Sequence, residues 1–231
     1  MTLNHGPRGD RLLTLAAVVA TLMAASASAV FYFSSGSPEG AGSVEPPAEV
    51  GDWGQYTRMG IRLGPQDAPV TVVVFLDFGC AYSREAAQDV REVRRLHPDK
   101  VTLVFRHFPL TDPSLHAAMA AQCASEAGAF EAMAGRLFAQ PDSFGVKAWT
   151  LFANEAGVRD TITFKTCLDD TATLDRVRQD ATAGRTLGVT GTPYLLINDR
   201  LFQGSPGLSH LNQYVDALLI QRETDRARGG M

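Results

Sequence analysis

The chain has 231 residues, 45% of them apolar and 20% charged, a balance that excludes both a disordered tail and a multi-spanning membrane protein. Its 21 Lys and Arg stand against 25 Asp and Glu, a formal net charge of -4, with no basic stripe of the kind nucleic acid requires. Three cysteines are too few for a disulfide scaffold, they lack the paired spacing of structural zinc, and their odd number leaves at least one thiol without an intrachain partner.

Residues 1–11 form a short basic flank. Residues 12–33 carry no charge, and as a helix at about 1.5 Å per residue they would span about 33 Å, enough for a bilayer core. This supports an uncleaved, single-pass transmembrane signal-anchor in the inner or cytoplasmic membrane. The small-residue run Ala25 to Ala29 also offers signal-peptide cleavage sites, after which the rest would be periplasmic or secreted. In either case the basic flank stays inside and the remainder is exported. Residues 34–56, rich in Gly, Ser, Pro and Glu, read as a flexible linker, 57–222 as the folded domain and 223–231 as a polar tail.

Within the domain, the β-branched and aromatic run 69–78 (PVTVVVFLDF) predicts a central strand covered on both faces. A helix begins near Cys80, with Ala86, Val90, Val93 and Leu96 on one face. Residues 101–108 form the next strand and complete a βαβ unit. From about 112 to 187 the pattern turns helical, opening on Asp112-Pro113 as an N-cap and first-turn pair. Strand character returns at 193–197, which pairs through the Asn198-Asp199 turn with 201–204. A last helix opens at Ser205-Pro206 and buries Leu208, Leu211, Val215 and Leu218.

This order resembles the DsbA-like thiol:disulfide oxidoreductases, a thioredoxin fold with an inserted helical domain. FLDFGCAYS at 75–83 is similar to the active-site segment of that family, and GVTGTPYLLIN at 188–198 to its cis-proline segment. FRHFPL (105–110), AAQCASEAGAF (120–130) and FKTCLDD (164–170) resemble matching stretches of the helical insertion. The resemblance implies an α/β thioredoxin-like fold with an all-helical domain at about 112–187. It makes Cys80 the nucleophile and sets a cis Pro193 across from it. Thr192 then presents backbone groups to an extended peptide. Tyr82 and Tyr194 either flank that groove or are surface aromatics. It also has cysteines where Cys123 and Cys167 stand and implies a structural disulfide between them. Two separate buried thiols, or a role for one of them in resolving Cys80, are the alternatives.

The chain departs from the family at one place. Where the family has Cys-x-x-Cys, this sequence has Cys80-Ala81-Tyr82-Ser83. A thiol at a helix N-terminus meets unpaired N–H groups and the positive end of the helix dipole, which can bring its pKa to about 3.5–7.5. Ser83 can donate a hydrogen bond to that thiolate but cannot attack a mixed disulfide, so Cys80 can begin exchange and cannot finish it alone. Asp77 fits the motif as either a proton acceptor or a brace for the loop. His107 or His116 could lie near Cys80 and help hold it ionised. No cofactor and no metal are implied. The expected function is exported thiol-disulfide exchange on cysteine-containing exported proteins or small thiols, with an external thiol or a membrane redox partner completing the cycle. Two other readings stay open: a redox-inactive peptide-binding module or chaperone using the groove at Pro193, and a glutathione-linked transferase or isomerase.

Overall fold

A computed structural model describes residues 47–229. The basic flank, the apolar segment 12–33 and the first part of the linker lie outside the described residues. Among those described, no helix is long and apolar enough to cross a membrane.

The strands are β1 (Ala48–Glu49), β2 (Ile61–Leu63), β3 (Val70–Leu76), β4 (Val101–His107), β5 (Tyr194–Ile197) and β6 (Arg200–Gln203). They form one sheet in the order β1-β6-β5-β3-β4-β2. β3 and β4 are parallel and are joined by helix α1 (Ala81–Leu96); the other pairs are antiparallel. Every residue of β3 is buried, because successive side chains enter opposite cores. Val70, Val72, Val74 and Leu76 join Ala86, Val90 and Val93 of α1 in the larger core. Val73 and Phe75 join Tyr194 and Ala181 in the smaller one.

Between β4 and β5 the chain forms five helices: α2 (Asp112–Glu126), α3 (Phe130–Ala139), α4 (Trp149–Glu155), α5 (Thr161–Asp169) and α6 (Thr171–Thr186). Aromatic contacts seat this insertion on the sheet. Phe78 lies 4.8 Å from the Phe138 ring and Phe105 lies 4.9 Å from the Phe130 ring. On the opposite face α6 packs close through Gly184, where a Cβ would fall 2.7 Å from the Phe108 ring. The same helix supplies Asp180, which forms a buried ion pair with Arg106 of β4 (Nε to Oδ1, 2.7 Å) and accepts from the His107 N–H (3.0 Å).

Several boundaries differ from the sequence reading. The linker does not reach residue 56. Ala48 and Glu49 pair with Leu201 and Arg200, the Val50 N–H donates to Asp199 (2.8 Å), and a 3-10 turn at Trp53–Thr57 buries Tyr56. Strands of two and three residues carry no periodic signal; their partners in β6 and β4 define them. The N-cap of α2 is Thr111, whose hydroxyl accepts from the Ser114 N–H, so Asp112 is already helical. The last helix, α7 (Leu208–Gly229), starts three residues after Ser205 and runs through the supposed polar tail. It buries Leu211, Val215 and Leu219 at four-residue spacing, while Leu208 faces solvent. Arg226 and Arg228 lie in its last turn, where the helix dipole favours cations.

Candidate active site

β3 ends at Leu76, and Asp77-Phe78-Gly79 turns the chain into α1. Asp77 is buried and braces this turn. Its Oδ1 accepts from the Gly79 N–H (2.6 Å), its Oδ2 from the Leu110 N–H (2.8 Å), and its carbonyl from the Cys80 N–H (3.1 Å). Both carboxylate oxygens are therefore engaged by backbone amides.

Cys80 caps α1 in an extended conformation (φ -92°, ψ 123°), and its carbonyl accepts the first helical bond from the Arg84 N–H (3.1 Å). It is partly exposed and is the free cysteine of the described residues. Cys123 and Cys167 are joined (Sγ–Sγ 2.05 Å), tying α2 to α5. The Cys80 thiol donates to the carbonyl oxygen of Thr192 (3.4 Å), immediately before the cis Thr192-Pro193 bond. Partial burial pushes the thiol pKa up. The Thr192 side chain, the Ser83 N–H and hydroxyl, and the Tyr82 N–H together outweigh burial and leave the pKa below the ordinary thiol value. The Thr192 hydroxyl is itself buried and meets no hydrogen-bond partner of good geometry among the described residues.

Ser83, one turn into α1 from Cys80, is fully buried. Its oxygen accepts from the Asp77 N–H (3.2 Å), which leaves its proton available to Cys80.

A cleft of about 470 Å³ opens beside Pro193, lined by Tyr82, Thr192, Pro193 and Tyr194 together with Glu85 and Asp89 of α1. Tyr82 stands 72% exposed at the rim, whereas Tyr194 is buried with its hydroxyl 3.3 Å from the Thr190 oxygen. Residues 190–192 precede Tyr194, the first paired residue of β5, so they belong to neither flanking ladder. A larger cavity of about 570 Å³, floored by Val74, Leu76, Leu103 and Phe105, lies between α1 and α3 and contains none of Cys80, Thr192 or Pro193. Among the described residues no group of His, Cys, Asp and Glu is placed to hold a metal ion.

His107 does not belong to this site. It is wholly buried at the end of β4, with its ring 5.5 Å from Phe105 and 6.1 Å from Phe78. Burial and the charge of Arg106 lower its pKa to about 3. Gln122 offers its side chain, yet neither ring nitrogen attains good hydrogen-bond geometry. A neutral core imidazole cannot supply the cation imagined beside Cys80. His116 faces solvent on α2, its Nδ1 2.9 Å from the Asp112 carbonyl oxygen. Beside the apolar face of α1, Tyr82, Glu85 and Asp89 keep the three- and four-residue spacing of one helical stripe, and only the fold shows that this stripe borders the cleft.

A thiol set at the junction of a β3–α1–β4 unit, against a cis-proline that leads into a hairpin, defines a thioredoxin-fold protein with a cysteine site. The chain belongs to the thioredoxin family, whose model matches residues 56–217. Among solved structures it is similar to a thioredoxin-like oxidoreductase from Silicibacter pomeroyi DSS-3, at 30% identity and a TM-score of 0.56, covering 73% of this chain and 91% of that one. Alpha-DsbA1 of Wolbachia pipientis shares the fold at 21% identity, with a TM-score of 0.62 over 71% of this chain and 93% of that one. The Na(+)/H(+) antiporter NhaA 3 of Salinispora tropica is 36% identical over 155 residues, which are 66% of this chain and 24% of that protein. The chain thus spans about a quarter of the length of the curated relatives it matches.

Proposed function

We propose that this domain performs thiol-disulfide exchange through Cys80 alone. The Cys80 thiolate attacks one sulfur of a substrate disulfide; that S–S bond breaks, the other sulfur leaves as a thiolate, and a Cys80–substrate mixed disulfide forms. Finishing the cycle needs a second thiolate to attack the mixed disulfide and return Cys80 as the leaving group. The Ser83 hydroxyl cannot do this, so the second thiolate comes from outside, as a small thiol or a membrane redox partner. The contact of the Cys80 sulfur with Thr192, with a serine hydroxyl one turn along, carries this reading. Substrates are cysteine-containing exported proteins, lying as an extended segment against residues 190–192. The uncharged stretch 12–33 favours a domain tethered at the outer face of the cytoplasmic membrane.

The cleft alone would also serve a redox-inactive peptide-binding module. The lowered thiol pKa favours exchange, since an inert remnant needs no thiolate-stabilising donors. Non-reducing electrophoresis of cells separates the two. Exchange predicts Cys80-dependent disulfide adducts without any trapping mutation, lost in Cys80→Ser. Client binding without adducts would leave the binding module.

A further inference from the structure

Resting on the exchange role of Cys80, we infer that the cleft beside Pro193 selects substrate segments carrying Arg or Lys two residues from the reactive cysteine. Tyr82, Glu85 and Asp89 form one stripe of α1, and all three line the cleft with Thr192 and Pro193. None of the lining residues is Lys, Arg or His. Neither carboxylate belongs to an ion pair among the described residues. Asp89 is half-buried and accepts from the Ser205 hydroxyl (3.1 Å), which holds it on the β6 side of the cleft. Glu85 is exposed and borders both this cleft and the larger cavity, whereas its neighbours Arg84 and Arg91 line only the latter. The cleft therefore carries two carboxylates and no countercharge.

The spacing matches an extended substrate. α1 rises about 1.5 Å per residue, which sets Glu85 about 7.5 Å along the helix from Cys80. An extended chain covers about 6.6 Å in two residues, and alternate side chains face the same way. For a substrate strand that runs along α1 between the helix and residues 190–192, a cysteine on Cys80 brings the side chain two positions away, on the same face, to Glu85. Arginine there pairs its planar fork with the carboxylate and stacks over the exposed Tyr82 ring; lysine pairs as a point charge. An acidic residue meets two uncompensated carboxylates.

The test uses the full-length protein and short peptides whose cysteine is disulfide-linked to 5-thio-2-nitrobenzoate, with Arg, Leu or Glu two positions away. The Cys80 thiolate attacks the peptide sulfur, the peptide–Cys80 disulfide forms, and the coloured thiolate leaves. Rates should rank Arg above Leu above Glu at low salt, with steps of about two- to fivefold, and converge at high salt. Glu85→Gln with Asp89→Asn should bring the Arg/Leu ratio near one, and Glu85→Arg should reverse the order. Equal rates for the three peptides on the unmutated protein at low salt would overturn the inference. Failure of the exchange reading looks different: no peptide releases the coloured thiolate. Charge selection is then read from NMR titration with peptides whose cysteine is replaced by serine, where equal affinities would overturn it.

Discussion

The sulfur of Cys80 lies 3.4 Å from the carbonyl oxygen of Thr192, so the residue capping α1 and the residue before the cis-proline form one site although 112 positions separate them. The protonated thiol donates to that carbonyl. The thiolate has no proton to donate and is favoured instead by the hydroxyl and amide donors near it, which lower the Cys80 pKa.

Removing those donors should raise the Cys80 pKa, because burial alone pushes it up. Thr192→Val and Ser83→Ala should each move the midpoint of the alkylation rate against pH upward and slow alkylation at neutral pH. An unmoved midpoint in both variants would place the stabilisation elsewhere.

Asp77 should act as a brace. Asp77→Ala removes the acceptors of the Gly79 and Leu110 N–H groups, which water can partly replace at these exposed residues, a loss of about 1–3 kcal/mol. Urea unfolding measures it. If Asp77 were instead a proton acceptor for the chemistry, Asp77→Ala would slow Cys80 exchange under conditions where the variant is still fully folded.

The burial of His107 implies a pH dependence with a definite sign. Its folded pKa of about 3 lies below the ordinary 6.5, so the unfolded chain takes up the proton first and stability is lost as pH falls through that window. Asp180 acts with the opposite sign: burial lifts its carboxyl to about 6, so the folded state takes up that proton first and gains stability as pH falls toward 3.8. The Asp180 contribution is common to the unmutated protein and His107→Leu, so comparing the two isolates the histidine. Between pH 7 and about 4.5 the unmutated protein should lose about 2–3 kcal/mol more than His107→Leu by chemical denaturation. Parallel pH profiles would contradict the assignment.

The Cys123–Cys167 disulfide closes a loop with a sequence separation of 44. In the chain-entropy account a loop of that length is worth about 4 kcal/mol as an upper figure. Cys123→Ala with Cys167→Ala should lower unfolding stability by up to that amount and leave the Cys80 alkylation rate in place. A large change in that rate would couple the disulfide to the site.

Much of this was readable from the chain. The run PVTVVVFLDF pointed to a buried strand, and the helical stripe after it placed Cys80 at the strand-to-helix junction. What escaped depends on distant partners. β1 and β2 owe their existence to pairing with β6 and β4. Arg106 within the apolar run VTLVFRHF signals a buried counterion, but nothing local marks Asp180 on α6 as that partner. His107 shares the alternation of Val101, Leu103 and Phe105, which points it into the larger core rather than toward Cys80. The stripe Tyr82, Glu85 and Asp89 shows in the spacing; that it faces the hairpin is set by how α1 is rotated on the sheet.

The lifetime of a Cys80 mixed disulfide tests the central claim most directly. Full-length protein treated with glutathione disulfide, freed of excess reagent and followed by intact mass, should carry one glutathione on Cys80 that persists until an external thiol is added. Ser83→Cys should release the glutathione unaided and gain an internal disulfide. A wild-type adduct that decays at a comparable rate with no thiol present would reveal a second nucleophile within the chain and contradict the single-cysteine account.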